Sequence, residues 1–193
     1  MKIIAVPHAS LRKQAQPIKR VDQKLCRFIG ELGDTLANKK NPPGVGLAAP
    51  QVNKLWRAFV TYLPQPGDDD ERSVVKVYLN PVITKRSAGK LTFGPDQDNP
   101  TLEGCLSIPN LYGPVPRYPW VDVEYQVLGN DKLVDQKERF SDFAGRVVQH
   151  EIDHLDGILF TDYILKYDLP IYQGASRSDK LRELTDRSVL ETF

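Results

Sequence analysis

Apolar residues recur at helical spacing in two stretches of this chain and alternate with polar ones in several others. Between Asp22 and Ala37 they fall at Leu25, Phe28, Ile29, Leu32 and Leu36, which predicts an amphipathic helix with Asp22 as N-cap. Cys26 lies beside that stripe and reads as a small buried or half-buried thiol. Ala58–Leu63 and Val74–Leu79 read as short strands. Val121, Val123, Tyr125 and Val127 alternate with polar residues, as on a half-buried strand. Leu133–Phe140 can pair with that strand across a turn at Gly129-Asn130-Asp131. A second helix is predicted from Ser141 or Asp142 to Asp156, capped by Ser141 and ended by Gly157 in the left-handed conformation. A last short helix over Asp179–Glu191 would use Leu181, Leu184 and Leu190. Short strands around one strong helix predict an α+β domain, with short antiparallel sheets packed around a central helix.

Irregular stretches separate these elements. Asn41–Gln51 holds three prolines and two glycines and reads as a loop. Pro64–Glu71 reads as an exposed connection whose acidic run is solvated, since no glycine-centred calcium-loop spacing accompanies it. Pro95–Pro100 is a further irregular stretch.

At 193 residues the chain suits one domain, 1–193, in which residues 166–193 form a variable tail. Apolar residues are 40% and charged residues 26%, ordinary values for a protein that buries its own core. The formal charge of +1 gives no electrostatic case for non-specific nucleic-acid or membrane binding. Two cysteines exclude a disulfide framework. Ile3–Val6 is too short a run for a signal-peptide core, and no stretch reaches the roughly 18 apolar residues of a membrane span. The expected location is cytoplasmic.

Histidine is scarce. Of three, two stand in His150-Glu151-Ile152-Asp153-His154, an H-E-x-x-H pattern on the second predicted helix. Positions i and i+4 share a helix face, so both imidazoles can bind one metal ion, with Glu151 in reach of a water on it. Phe143, Val147, His150, Glu151 and His154 fall on one stripe, which places the site inward under an apolar roof. A catalytic metal of this kind takes three protein ligands and keeps one position open. The third ligand is open among His8, Glu183, Glu191 and Cys105; Cys105, in Glu103-Gly104-Cys105-Leu106-Ser107-Ile108-Pro109, is favoured because glycine and proline mark a specialised backbone there.

Gly44-Val45-Gly46-Leu47-Ala48-Ala49-Pro50-Gln51, Glu103–Ser107 and Gln149–His154 together resemble the three signature motifs of peptide deformylases, in that family's order and spacing. The resemblance spans about residues 4 to 165 and implies hydrolysis of the N-formyl group from the initiator formyl-methionine of nascent polypeptides. It implies Cys105, His150 and His154 as metal ligands and Glu151 as general base and then acid. Gln51 and the backbone N–H of Leu106 would face the reacting carbonyl oxygen. Val45, Gly46, Glu103, Tyr112 and Val147 would contact substrate. The implied cofactor is one divalent metal, Fe²⁺ in the cell, with Zn²⁺, Ni²⁺ or Co²⁺ as other occupants. The implied partners are formyl-methionyl nascent peptides, with a transient ribosome contact. Two departures stand out: Tyr112 occupies a place where many members have Arg, and the tail after Leu165 lacks the long charged helix of some members. An H-E-x-x-H zinc endopeptidase and a catalytically silent metal-binding homologue are the alternatives.

Overall fold

The computed structural model describes residues 1–64, 73–89, 91–94, 100–175 and 180–193. The acidic run and most of Pro95–Pro100 lie outside those residues. Nine strands and three α-helices are described: α1 (Gln23–Ala37), β1 (Gly46–Ala48), β2 (Ala58–Pro64), β3 (Ser73–Arg86), β4 (Leu102–Cys105), β5 (Ile108–Pro114), β6 (Trp120–Gly129), β7 (Lys132–Ser141), α2 (Asp142–Leu155), α3 (Phe160–Lys166), β8 (Tyr172–Gln173) and β9 (Arg182–Glu183). They build two antiparallel sheets, ordered β1-β2-β3-β6-β7 and β4-β5-β8-β9, with α2 against the first. The α+β expectation therefore matches the architecture.

α1 is capped as its sequence predicts: the Asp22 carboxylate accepts the Leu25 N–H at 2.8 Å. Its stripe of Leu25, Ile29, Leu32 and Leu36 is buried against Ala58, Leu79, Leu47 and Val60. Cys26, one step of about 100° beyond Leu25, is exposed, which corrects the expectation of a buried or half-buried thiol. β6 and β7 turn through Asn130 and Asp131, whose φ values of 40° and 61° are what a tight two-residue hairpin turn requires. The Ser141 hydroxyl bonds to Asp142 instead of capping a backbone N–H of α2.

α2 divides its faces. Val148, Ile152 and Leu155 pack into an aromatic core with Phe59, Tyr78, Tyr125 and Phe140, where the Phe59 and Tyr78 rings stack at 4.4 Å. The opposite face carries His150 and His154 toward β4. Gly157, φ 75°, ends this segment, and a side chain there would collide with the Arg12 carbonyl.

Among the described residues, 180–191, the last predicted helix is absent. Arg182–Glu183 is a strand and Ser188–Thr192 a 3₁₀ turn. Three leucines over thirteen positions cannot sustain an isolated helix, and pairing with β8 provides hydrogen bonds instead. No helix among the described residues is long and apolar enough to cross a membrane.

Candidate metal centre

Cys105 ends β4, and an irregularity in its pairing with β5 lies between Gly104 and Cys105. That kink re-aims the thiol toward α2. One donor atom each from Cys105, His150 and His154 lies within 4.8 Å of the others. Cys105 Sγ stands 3.1 Å from His154 Nε2, and the two imidazole rings are 4.9 Å apart and nearly perpendicular. Donors around one ion at bond lengths of about 2.0–2.3 Å sit roughly 3–4 Å apart, and a thiolate with two imidazoles suits a transition metal. The residues present therefore fit a divalent ion of that class.

Gln51 approaches from a 3₁₀ turn, Ala49–Val52, closed by left-handed Asn53. Its Oε1 accepts the Ala48 N–H at 2.8 Å, which orients the amide. Nε2 then points to Cys105 Sγ at 3.4 Å and Ser107 Oγ at 3.2 Å. The N-terminal residues stitch both motifs in place: the Ile4 N–H donates to the Gln51 carbonyl and the Val6 N–H to that of Ser107. Ser107 N–H also donates to the Cys105 sulfur, 3.4 Å away.

Glu151 is buried against Gly46. A Cβ at Gly46 would lie 2.3 Å from Glu151 Oε1, so only glycine leaves room for this carboxylate. Its Oε2 has no hydrogen-bond partner among the described residues. Burial, partly offset by His150 and Arg117, pushes the Glu151 carboxyl up to about 7. An acid poised there can both take and return a proton near neutral pH.

Behind the histidines lies a buried charge cluster. Burial alone would raise the Glu103 carboxyl, but Arg117 and His150 overcome it and hold it well below the usual carboxylate range. Arg117 grips Glu103 through two bonds of 3.0 and 2.8 Å and reaches Asp153 at 2.5 Å. Arg146 donates to Glu103 Oε1 at 3.0 Å and to the carbonyl of Val115. Glu103 Oε2 lies 3.1 Å from His150 Nδ1, a bond that orients the ring and leaves Nε2 toward the thiol. Burial lowers the His150 imidazole, yet Cys105 and Glu103 raise it well above its ordinary value; burial drives His154 the other way.

A cleft of about 1,040 Å³ opens onto these groups. Val45, Gly46, Gln51, Glu103, Leu106, Tyr112 and Val147 line it beside Cys105, His150 and Glu151. Both oxygens of Glu103 are engaged by Arg117, Arg146 and His150. Phe143 stands at the rim at 46% exposure, which corrects the apolar roof expected over the site. The Tyr112 ring lies on Gly104, where a Cβ would come within 2.7 Å of it. Neither His8, whose side chain accepts the Ser10 N–H, nor exposed Glu183 joins the ligand cluster. The sequence reading missed Arg117, Arg146 and Asp153. Its one available signal was Arg146, four residues before His150 on the same helix face.

An antiparallel α+β scaffold with a cysteine–histidine centre and a buried carboxylate beside it is the class of a metal-dependent hydrolase. The model of the polypeptide deformylase family matches residues 1–169, and the chain belongs to that family. The peptide deformylase of Roseiflexus sp. (strain RS-1) is 37% identical over 162 residues, covering 80% of each chain. Peptide deformylase 1 of Bacillus subtilis is 36% identical over 167 residues, 86% of this chain and 91% of its own. The solved structure of peptide deformylase from Thermotoga maritima superposes with a TM-score of 0.68 at 31% identity, over 84% of this chain and 95% of that one.

Proposed function

We propose that this chain hydrolyses the N-formyl group of the initiator formyl-methionine on nascent polypeptides and releases formate. The observation that carries the reading is the convergence of the Cys105, His150 and His154 donor atoms beside a cleft that the buried Glu151 also lines. A divalent ion held by those three donors would supply Lewis-acid character and make hydroxide available near neutral pH. Fe²⁺ is the proposed occupant in the cell, with Zn²⁺, Ni²⁺ and Co²⁺ as alternatives of the same donor preference. Glu151 accepts a proton and passes it to the departing amine. Gln51 Nε2 and the Leu106 N–H stabilise the negative charge that develops on the formyl oxygen, each donor worth about 3–4 kcal/mol. Glu103 acts by holding His150, while Val45, Gly46, Tyr112 and Val147 bound the space for the peptide. The substrate chemistry and the family together favour a cytoplasmic setting. A ribosome contact through a C-terminal helix is not part of this reading, because the described tail has none.

The endopeptidase alternative leaves the Gln51–Cys105 contact without a purpose. The test is formate release from N-formyl-Met-Ala-Ser by anaerobically purified protein loaded separately with Fe²⁺, Ni²⁺ and Zn²⁺. Turnover abolished by Glu151→Ala supports the assignment. Full metal occupancy without formate overturns it.

A further inference from the structure

The family match ends at residue 169, yet the chain beyond it is built into the same sheet as the metal ligand Cys105. β8 pairs with β5 in the register Leu111↔Gln173 and Tyr112↔Tyr172, and the Gly174 N–H donates to the Asn110 carbonyl at 3.1 Å. The described residues on either side of 176–179 are anchored. Ile171 and Leu190 are fully buried beside Ile108, Leu111 and Ile164. The Leu184 N–H donates to the Ile171 carbonyl at 2.8 Å, and Arg12 Nε donates to the Phe193 carbonyl at 3.0 Å. So fixed, the segment brings Ala175 to the cleft, where it forms wall together with Asn110 and Tyr112.

We propose that the stretch ending β8, Gln173–Ala175, forms part of the wall of the substrate cleft through Ala175 and governs selectivity for the residues that follow the formylated one. This rests on the deformylase reading. Three features argue for it. The cleft, about 1,040 Å³, lies at the upper end of the roughly 300–1,000 Å³ typical of small-ligand pockets, so it exceeds what one formyl-methionyl group fills. Its lining includes both the candidate ligands Cys105 and His150 and the residues Asn110 and Ala175. Ala175 is small and exposed, so the wall it makes leaves space that a larger side chain would close.

The test compares N-formyl-Met-Ala with N-formyl-Met-Ala-Ser-Ala on the metal-loaded protein and on Ala175→Trp. The expected result is a fall of about tenfold in kcat/KM for the tetrapeptide, carried by KM, with the dipeptide within about twofold of the parent. Ala175→Leu should give the same split at smaller size, and Val189→Asp, on an exposed part of the segment, should give none. An unchanged ratio between the two peptides in both Ala175 variants overturns the proposal alone. Parent protein that turns over neither peptide overturns the deformylase reading and the proposal with it.

Discussion

The two faces of α2 are stabilised by opposite means. One rests on stacked aromatic rings, Phe59 on Tyr78 with Tyr125 and Phe140 beside them, and the charged groups near it, Lys76 and Glu138, are only partly buried. The other rests on two arginines and two carboxylates, with Arg117 and Glu103 almost wholly enclosed. Apolar packing tolerates small shifts and is broadly additive in area, whereas a buried ion cluster is satisfied in one geometry and costly in any other. The charged face is the one that carries the candidate metal ligands His150 and His154. The difference teaches where this fold spends rigidity: on the orientation of His150 rather than on the bulk of its core.

The comparison can be broken by substitution. The largest effect expected is on turnover: Glu151→Gln should retain the metal, measured by elemental analysis, and lose about 10²–10⁴-fold in rate. Glu103→Ala should cost about 3–5 kcal/mol in denaturant unfolding, because Arg117 and Arg146 keep their charge without its partner. The same variant should weaken metal binding about 10–100-fold. Phe59→Ala should cost a similar 3–5 kcal/mol and leave metal affinity unchanged, and equal loss of metal in both variants would erase the distinction between the faces.

Acidity sharpens it further, since two carboxyls on the charged face titrate in opposite senses. Glu103 is held below its ordinary value of 4.5, so its contribution is complete above that pH and is lost as pH falls below it. Glu151 is raised to about 7, so its ionisation opposes folding, and metal-free protein loses stability between pH 4.5 and 7. Glu151→Gln should therefore stabilise metal-free protein above pH 7 by about 3 kcal/mol at most, read from urea midpoints. The smallest effect belongs to Cys26→Ser: at an exposed position it should stay within about 0.5 kcal/mol.

Sequence alone revealed the aromatic face poorly and the ligand face well. His150, His154 and Glu151 announce themselves by helical spacing, and α1 by its stripe and cap. The partners of Glu103 do not, because Arg117 and Arg146 are 14 and 43 positions away and join it only through the sheet and the helix together. Local pattern carries no record of such long-range charge pairing. β8 and β9 escaped for a related reason: two-residue strands have no period to read, and their identity is set by the edge of β5. Phe143 shows the limit of the stripe argument, since a helix face that continues past the core emerges at a rim.

The hydrogen atom that stands in for a side chain at Gly46 has a bearing on drug resistance. An inhibitor that gripped the main chain of β1 would touch atoms that no substitution except proline removes. The usual escape, a bulkier residue that pushes the compound away, would at this position strike the Glu151 carboxylate first. With Glu151 in the role proposed for it, resistance arising at residue 46 would disable the enzyme it was meant to protect.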